Sequence, residues 1–393
     1  MTRHRLHRPP RLCLWLALLT VGPTAGAATL EDALTGALER AGPLEETELP
    51  AASSWLSGVP TLSASYVDSQ EPLGTDEAEV SLNLPIKSAA RRRLDGELEA
   101  QASDSAAAAA AYRRWLYAGQ VREAAWTHRL AALDLAAARE RHSLLAGLNE
   151  RLGRLADSGA IPRYTALITA RSLIDAELAV DEAERALARE ATLFQSLTGL
   201  SSLPADLAEA SPPPTAPDWQ RHPALRRLEA ARAQEATQLA LSAPATASWN
   251  LSLIAREFEG PQLTEDQYGL AIEMPLNFLG TQSSSNRSQQ SAARRDYLIA
   301  RDQLWLSLRR QWDTLRAEAA HLERRRALLG EAAVLADRIE AQVTALEASN
   351  EIEAELRLQR LLDVLDTRAA LARTEALIGR NAAGLRQAAG RPL

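Results

Sequence analysis

Residue types that carry out acid–base, nucleophilic or metal chemistry are sparse in this sequence and poorly placed for it. The histidines beyond the N-terminal segment are His128, His142, His222 and His321, with no two at metal-ligand spacing. There is no glycine-rich phosphate loop, no HExxH and no GxSxG. With 2 methionines and a single cysteine, Cys13, the chain has no soft-metal ladder. It reads as a non-enzyme, with no catalytic residue, no cofactor and no resident metal. What is concentrated is carboxylate: Glu347, Glu351, Glu353 and Glu355 cluster at one break between helical stretches, and Asp157 lies at another. Repeated around a symmetric pore, such acids form rings that select and concentrate cations. Glutamate is equally at home on a solvated helix and favoured near a helix N-terminus, so that plainer reading stays open. Arg154, Arg163 and Arg357 lie close enough in sequence to latch these acids. Exposed ion pairs are worth only about 0–1 kcal/mol each, so such a latch would release easily. Gly159 and Asn350 read as the residues that permit the tight turns.

The elements that would position these residues start after an N-terminal segment, 1–27. Arg3, Arg5, Arg8 and Arg11 precede an apolar run from Leu12 to Val21, and Ala25-Gly26-Ala27 ends an A-x-A pattern: the layout of a secretory signal peptide. The run is about half the length that a membrane-spanning helix needs. Cys13 falls inside it without a lipobox, so the expected mature chain has no cysteine and cannot use disulfides. The formal net charge is -7, and losing four arginines with the leader makes the mature chain more acidic still, which argues against nucleic acid as a partner. No later apolar run is long enough for a transmembrane helix, so membrane insertion would require a β-barrel.

The sequence is written twice. Leu84-Pro85-Ile86 recurs as Met274-Pro275-Leu276, Trp115-Leu116 as Trp305-Leu306, and Leu197-Thr198-Gly199 aligns with Ala388-Ala389-Gly390, all at an offset of about 190 residues. The proline-rich run Ser211 to Pro217 marks the joint. We therefore divide the chain into 28–210 (hairpin 59–86, helices 88–199) and 211–393 (hairpin 247–277, helices 281–389). Val59 to Gln70 and Asp76 to Ile86 alternate as strands, with Leu62, Ala64 and Tyr66, then Val80, Leu82, Leu84 and Ile86, on one face. In the second half Trp249, Leu251, Leu253 and Ala255 face Tyr268, Leu270, Ile272, Met274 and Leu276 across a Gly260-Pro261 loop. Apolar-out, polar-in alternation fits transmembrane strands, and it also fits a half-buried soluble hairpin.

Long helices follow each hairpin. Ser88 to about Arg154, and Thr281 to about Ser349, are rich in good helix formers. They would run on the order of 100 Å. Each returns as a shorter helix with a heptad seam: Leu173, Val180, Leu187 and Phe194 beside Ala176, Ala183 and Leu197; then Leu358, Leu365 and Ala372 beside Leu362, Ala369 and Ala376. Four strands cannot close a barrel, since the smallest transmembrane barrels have about eight. A membrane-inserted chain must therefore oligomerise.

This order of elements resembles the TolC-type outer-membrane efflux family: a strand ending in Leu84-Pro85-Ile86 or Met274-Pro275-Leu276, a long Arg- and Ala-rich helix, then a second helix running to Leu197-Thr198-Gly199 or Gly390. His222-Pro223-Ala224-Leu225 is similar to the opening of a half in that family. The resemblance implies a mainly α fold with two β-hairpins per chain. In it, long antiparallel helical hairpins form a trimeric α-barrel tunnel, and four strands per chain enter a shared twelve-stranded transmembrane β-barrel. It further implies a homotrimer in outer-membrane lipid with its tunnel in the periplasm. The partners would be a periplasmic adaptor (membrane fusion protein) and an inner-membrane pump. The short chain, the Ser54 to Pro60 lead and the Glu351-Ile352 tip resemble the cobalt–zinc–cadmium branch most, which implies small toxic solutes, including heavy-metal cations, as cargo. Only Thr29 to about Arg40 reads as helix before the first strand, against Pro223 to Leu241 in the second half, so one upper-tunnel helix is shortened. Asn350 stands where the family often has Gly. Two alternatives remain: the outer-membrane channel of a type I protein secretion system, and a soluble periplasmic coiled-coil interaction protein. An adaptor would place its strands between two helices, whereas here strands precede each helical pair.

Overall fold

The computed structural model describes residues 28–44, 54–71, 73–209, 215–243, 246–275, 284–348 and 353–393. The leader with Cys13, the joint at Ser211 to Pro214, Leu276, Asn350, Glu351 and Ile352 lie outside the described residues. The elements run α1 (Leu30–Arg40), β1 (Thr61–Val67), β2 (Asp76–Ile86), α2 (Ala89–Asp157), α3 (Arg163–Thr198), α4 (Pro223–Leu241), β3 (Trp249–Glu259), β4 (Thr264–Glu273), α5 (Ser284–Ala348) and α6 (Ala354–Ala388). The 69 residues of α2 extend about 100 Å at about 1.5 Å per residue. The 65 residues of α5 extend nearly as far. Local chemistry sets the helix ends. Thr29 and Asp32 close a reciprocal capping box on α1, and the Ser88 hydroxyl accepts from the Arg91 amide at 3.3 Å to start α2. The first-half helix α1 has 11 residues against 19 in α4.

The strands form one antiparallel sheet in the order β1-β2-β3-β4. The central β2–β3 pair, running from Asp76↔Glu259 to Ile86↔Trp249, joins the two halves through backbone hydrogen bonds. β1 is shorter than its alternating pattern, because the Asp76 carboxylate accepts from the Ser69 amide at 2.9 Å and draws residues 68–70 into the turn. Cross-strand register stacks Leu62, Leu82, Leu253 and Leu270 on one face, with Tyr268 opposite Ala255 and Ile272 opposite Leu251. That face is open to its surroundings: Leu62 is 72% exposed, Tyr268 84% and Leu270 63%. The other face is a polar ladder. Ser252 donates to Asn83 Oδ1 at 2.6 Å, and Arg256 pairs with Glu79 at 2.6 Å.

Helices α3, α2, α6 and α5 lie side by side in that order, with α1 against α2 and α3 and α4 against α2 and α5. An apolar core forms where α1 crosses α2 and α3: Leu30, Ala33, Ala37, Val121, Ala125, Trp126 and Phe194, reaching Ala376 and Ala383 of α6. A second cluster toward the far end joins Leu145 and Leu148 to Ala176, Leu173, Leu358 and Leu362. The heptad stripe of α3 is the one that packs. The stripe of α6 is broader than its heptad: Ala372 is exposed, while Val364 and Thr374 are buried. α6 lies between α2 and α5 and so buries more than one face.

The start of α4 holds an acid-sensitive cap. His222 Nδ1 accepts from the Ala224 amide at 3.2 Å, which places the ring proton on Nε2. The ring is buried against Trp115 at 4.9 Å. Burial pushes its pKa down to about 4. Unfolded chains bind that proton below about pH 6.5, so the stability His222 contributes is present above 6.5 and drains away as pH falls toward 4. We expect unfolding midpoints to decline through this window, and His222→Asn, which keeps an acceptor for the cap but cannot titrate, to flatten the decline. An unchanged pH profile in the variant would count against the cap.

Candidate gate at the helical tip

The end of the molecule farthest from the sheet is built by the α2–α3 turn and by the ends of α5 and α6. The α2 helix stops at Asp157 in a glycine-ended motif. Gly159, at φ 75, returns its amide to Ala156 O at 3.1 Å, and Ala160 returns its own to Leu155 O at 2.9 Å. A residue with a Cβ pays conformational strain at that φ, so Gly159 permits the turn.

Glu347, near the end of α5, is the acid that gathers partners. Its carboxylate pairs with Arg151 of α2 and with Arg357 of α6, so one side chain ties three helices. Glu347 and Arg357 are 21% and 19% exposed, whereas Arg151 is 49% exposed. Burial lowers the Arg357 pKa; Glu347 opposes that shift and Arg151 adds to it. The triad thus holds two guanidiniums on one carboxylate. Glu353, Glu355 and Asp157 are exposed and make no ion pair among the described residues. Arg154 pairs with Glu150 of its own helix at 2.6 Å instead of with a tip acid, and Arg163 is exposed without an ion pair among the described residues.

Arg151 is the member that sequence reasoning missed. Its partner lies 196 positions away, and no local pattern marks a helical arginine as one that will meet it. Further up the same seam, α2 and α6 are joined by Arg141–Asp366 at 3.0 Å, Asp134–Arg373 and Glu123–Arg380, a ladder of exposed pairs. The pairs are individually weak, at about 0–1 kcal/mol. The histidines do not converge. His128 is half-buried near Phe194, with burial lowering its pKa; His142 sits 3.8 Å from Glu177; His321 is exposed. Among the described residues no three His, Cys, Asp or Glu side chains gather to hold a metal, and no helix is long and apolar enough to cross a membrane.

No family model and no curated protein sequence matches the chain. Solved structures do. The CmeC outer membrane channel of Campylobacter jejuni superposes with a TM-score of 0.62 at 11% identity, over 92% of this chain and 81% of that one. The outer membrane protein VceC of Vibrio cholerae gives 0.62 at 13% identity, over 92% and 91%. CusC, solved in a study of folding and transmembrane channel formation, gives 0.61 at 14% identity, over 85% and 83%. These neighbours are channel proteins, not enzymes. Two antiparallel helical pairs, each led by a hairpin of one shared sheet, give this chain the TolC-like fold of outer-membrane channels.

Proposed function

We propose that this chain is the outer-membrane channel of a tripartite efflux system and works as a homotrimer. The sheet carries the reading. Its outer edges, on β1 and β4, have no partner strand among the described residues, and its apolar face is uncovered. A long apolar sheet with open edges is not stable in water, and in lipid every edge must be paired. Three copies supply twelve strands, enough to close a barrel with the Leu62 and Leu270 face toward lipid and the Ser252–Asn83 ladder toward the lumen. The helical pairs then continue the barrel as a tunnel into the periplasm. There the tip meets an adaptor (membrane fusion protein) and, through it, an inner-membrane pump. The duct is passive, and its cargo is small toxic solutes, including heavy-metal cations, as in the cobalt–zinc–cadmium branch.

In this reading the Arg151–Glu347–Arg357 triad is the latch of the closed tip. Asp157, Glu351, Glu353 and Glu355 line its mouth as carboxylate rings, and the turns at Gly159 and Asn350 are the adaptor contact. Expression with the leader intact, followed by heat-modified gel mobility and cross-linking of outer-membrane fractions, tests the assembly. A heat-modifiable trimer is the expected result; a monomer or dimer in the soluble periplasmic fraction would overturn the proposal and leave a coiled-coil interaction protein. Loss of the chain should sensitise cells to metal salts or small toxic compounds; loss of a secreted protein with unchanged sensitivity would favour type I secretion.

The two sheet faces predict opposite tolerances. Leu253→Arg puts a charge on the lipid face of a central strand, where arginine costs about 2–4 kcal/mol near the bilayer midplane. It should strongly reduce the membrane-inserted trimer. Ser252→Arg, on the other face of the same strand, should insert normally and change conductance instead. Equal insertion of the two variants would contradict the barrel.

A further inference from the structure

The most deeply buried ion pair in the molecule lies far from the tip, where the last residues of the chain meet α2. Arg122, 3% exposed, grips Glu209 with both ends of its fork, Nε to Oε1 at 2.8 Å and Nη2 to Oε2 at 2.6 Å. Its remaining donors go to Gln387 Oε1 at 2.6 Å, Arg391 O at 3.3 Å and Pro392 O at 2.9 Å. A guanidinium has five N–H donors, and here all five are used, three of them by residues at the end of the chain. Glu209, 9% exposed, also accepts from Arg386 Nε at 2.8 Å, and Arg386 Nη2 reaches Pro392 O at 3.1 Å.

The same segment is gripped from two more sides. Trp115 of α2 donates from Nε1 to Gln387 O at 2.8 Å, and Gln387 Nε2 donates back to Trp115 O at 2.8 Å. Gly390, at φ 69, ends α6 and turns Arg391 so that its amide reaches Arg386 O at 3.0 Å. A Cβ on Gly390 would lie 2.8 Å from both His222 Cδ2 and Pro223 Cδ, so the turn packs directly on the start of α4. Residues 387–392 therefore touch α2 from the first half, the stretch after α3, and the opening of the second half.

We propose that this C-terminal segment is a completion lock: it fixes the two halves to each other, and Arg122 is the residue that registers its presence. The physical reason is satisfaction of buried donors. Without residues 391 and 392, Arg122 keeps its pair with Glu209 but loses two backbone acceptors in a site that water does not reach, and each such loss is costly. A chain lacking its last residues cannot close the site, because α2 and Glu209 alone leave the fork part-empty. The lock also makes the α2–α6 seam unequal along its length. One end is a buried network and the other is the run of exposed pairs from Asp134–Arg373 to the tip, so the helices should separate from the tip and stay joined at Arg122.

The test is hydrogen exchange and thermal unfolding on purified full-length protein, neither of which depends on channel activity. Deleting Arg391 to Leu393, or making Arg122→Gln, should each speed exchange about tenfold or more in peptides spanning 115–126 and 377–390. Peptides of the α3 tip region should be little changed. Because both variants break the same contacts, the combined variant should be no worse than the more severe single one. Arg391→Ala, which keeps the backbone carbonyl that Arg122 uses, should behave as wild type. If the shortened chain fails to accumulate, Arg122→Lys, which keeps the charge but not the fork, must still give the local loss. Unchanged exchange in Arg122→Lys and Arg122→Gln, or deletion and Arg122→Gln effects that multiply, would overturn the proposal.

Discussion

Glu347→Gln should raise the open probability of the reconstituted channel at least tenfold without unfolding the protein. The carboxylate is the one group that holds α2, α5 and α6 together at the tip, through Arg151 and Arg357. Glutamine keeps the shape and an acceptor but removes the charge, leaving Arg151 and Arg357 to repel each other. Arg357 is the more confined of the two, at 19% exposed against 49%. Allowing about 1 kcal/mol per copy for partly exposed pairs, three copies give about 3 kcal/mol, and about 1.4 kcal/mol is tenfold in an equilibrium. Folding should survive, because the neighbouring Leu145, Leu148, Ala176 and Leu358 cluster does not depend on the triad. Arg154→Gln, which breaks only a pair within one helix, is the control and should change conductance little. Single-channel recording decides it, and equal open probabilities for Glu347→Gln and wild type would remove Glu347 from the latch.

Gly379→Ala should lower the unfolding temperature even though alanine is the better helix former. In a helix interior the change from glycine is worth about 1 kcal/mol in favour of the variant. Position 379 is not free, however. A Cβ there would lie 2.1 Å from Trp126 Cη2 and 2.7 Å from Cζ2. Trp126 is 9% exposed and belongs to the core where α1, α2 and α6 meet. Neither ring nor helix can yield without opening that core, and overpacking costs about 1–3 kcal/mol or more. The clash therefore outweighs the propensity. Trimming the ring with Trp126→Phe in the Gly379→Ala background should recover part of the loss, which a general helix defect would not allow. A Gly379→Ala protein more stable than wild type would show that the α2–α6 approach is looser than described here.

Both predictions rest on contacts that the linear chain does not advertise. The element types were legible because their signals are local. Alternation at Leu62, Ala64 and Tyr66 is a strand period, proline-free runs rich in alanine and arginine are helix composition, and Gly159 marks a left-handed helix end. The α3 seam at Leu173, Val180, Leu187 and Phe194 was equally readable, since α3 packs mainly on one long neighbour. The α6 seam was only partly so. Val364 and Thr374 are buried because α6 has neighbours on two sides, and a heptad count assumes one.

The sequence by itself determined the kinds of element, their duplicated order, the absence of a catalytic constellation and the concentration of acid at the helical turns. Only the tertiary structure decided that β2 lies beside β3, that Glu347 takes Arg151 while Arg154 turns to Glu150, and that Arg122 closes on the end of the chain. The division has a physical cause. Backbone sterics and side-chain periodicity act over a few residues, so a short window of sequence records them. An ion pair between helices depends on which helices lie side by side and in what rotation, and a helical arginine carries the same local signature whether its partner is solvent, the next turn or a carboxylate 196 positions away.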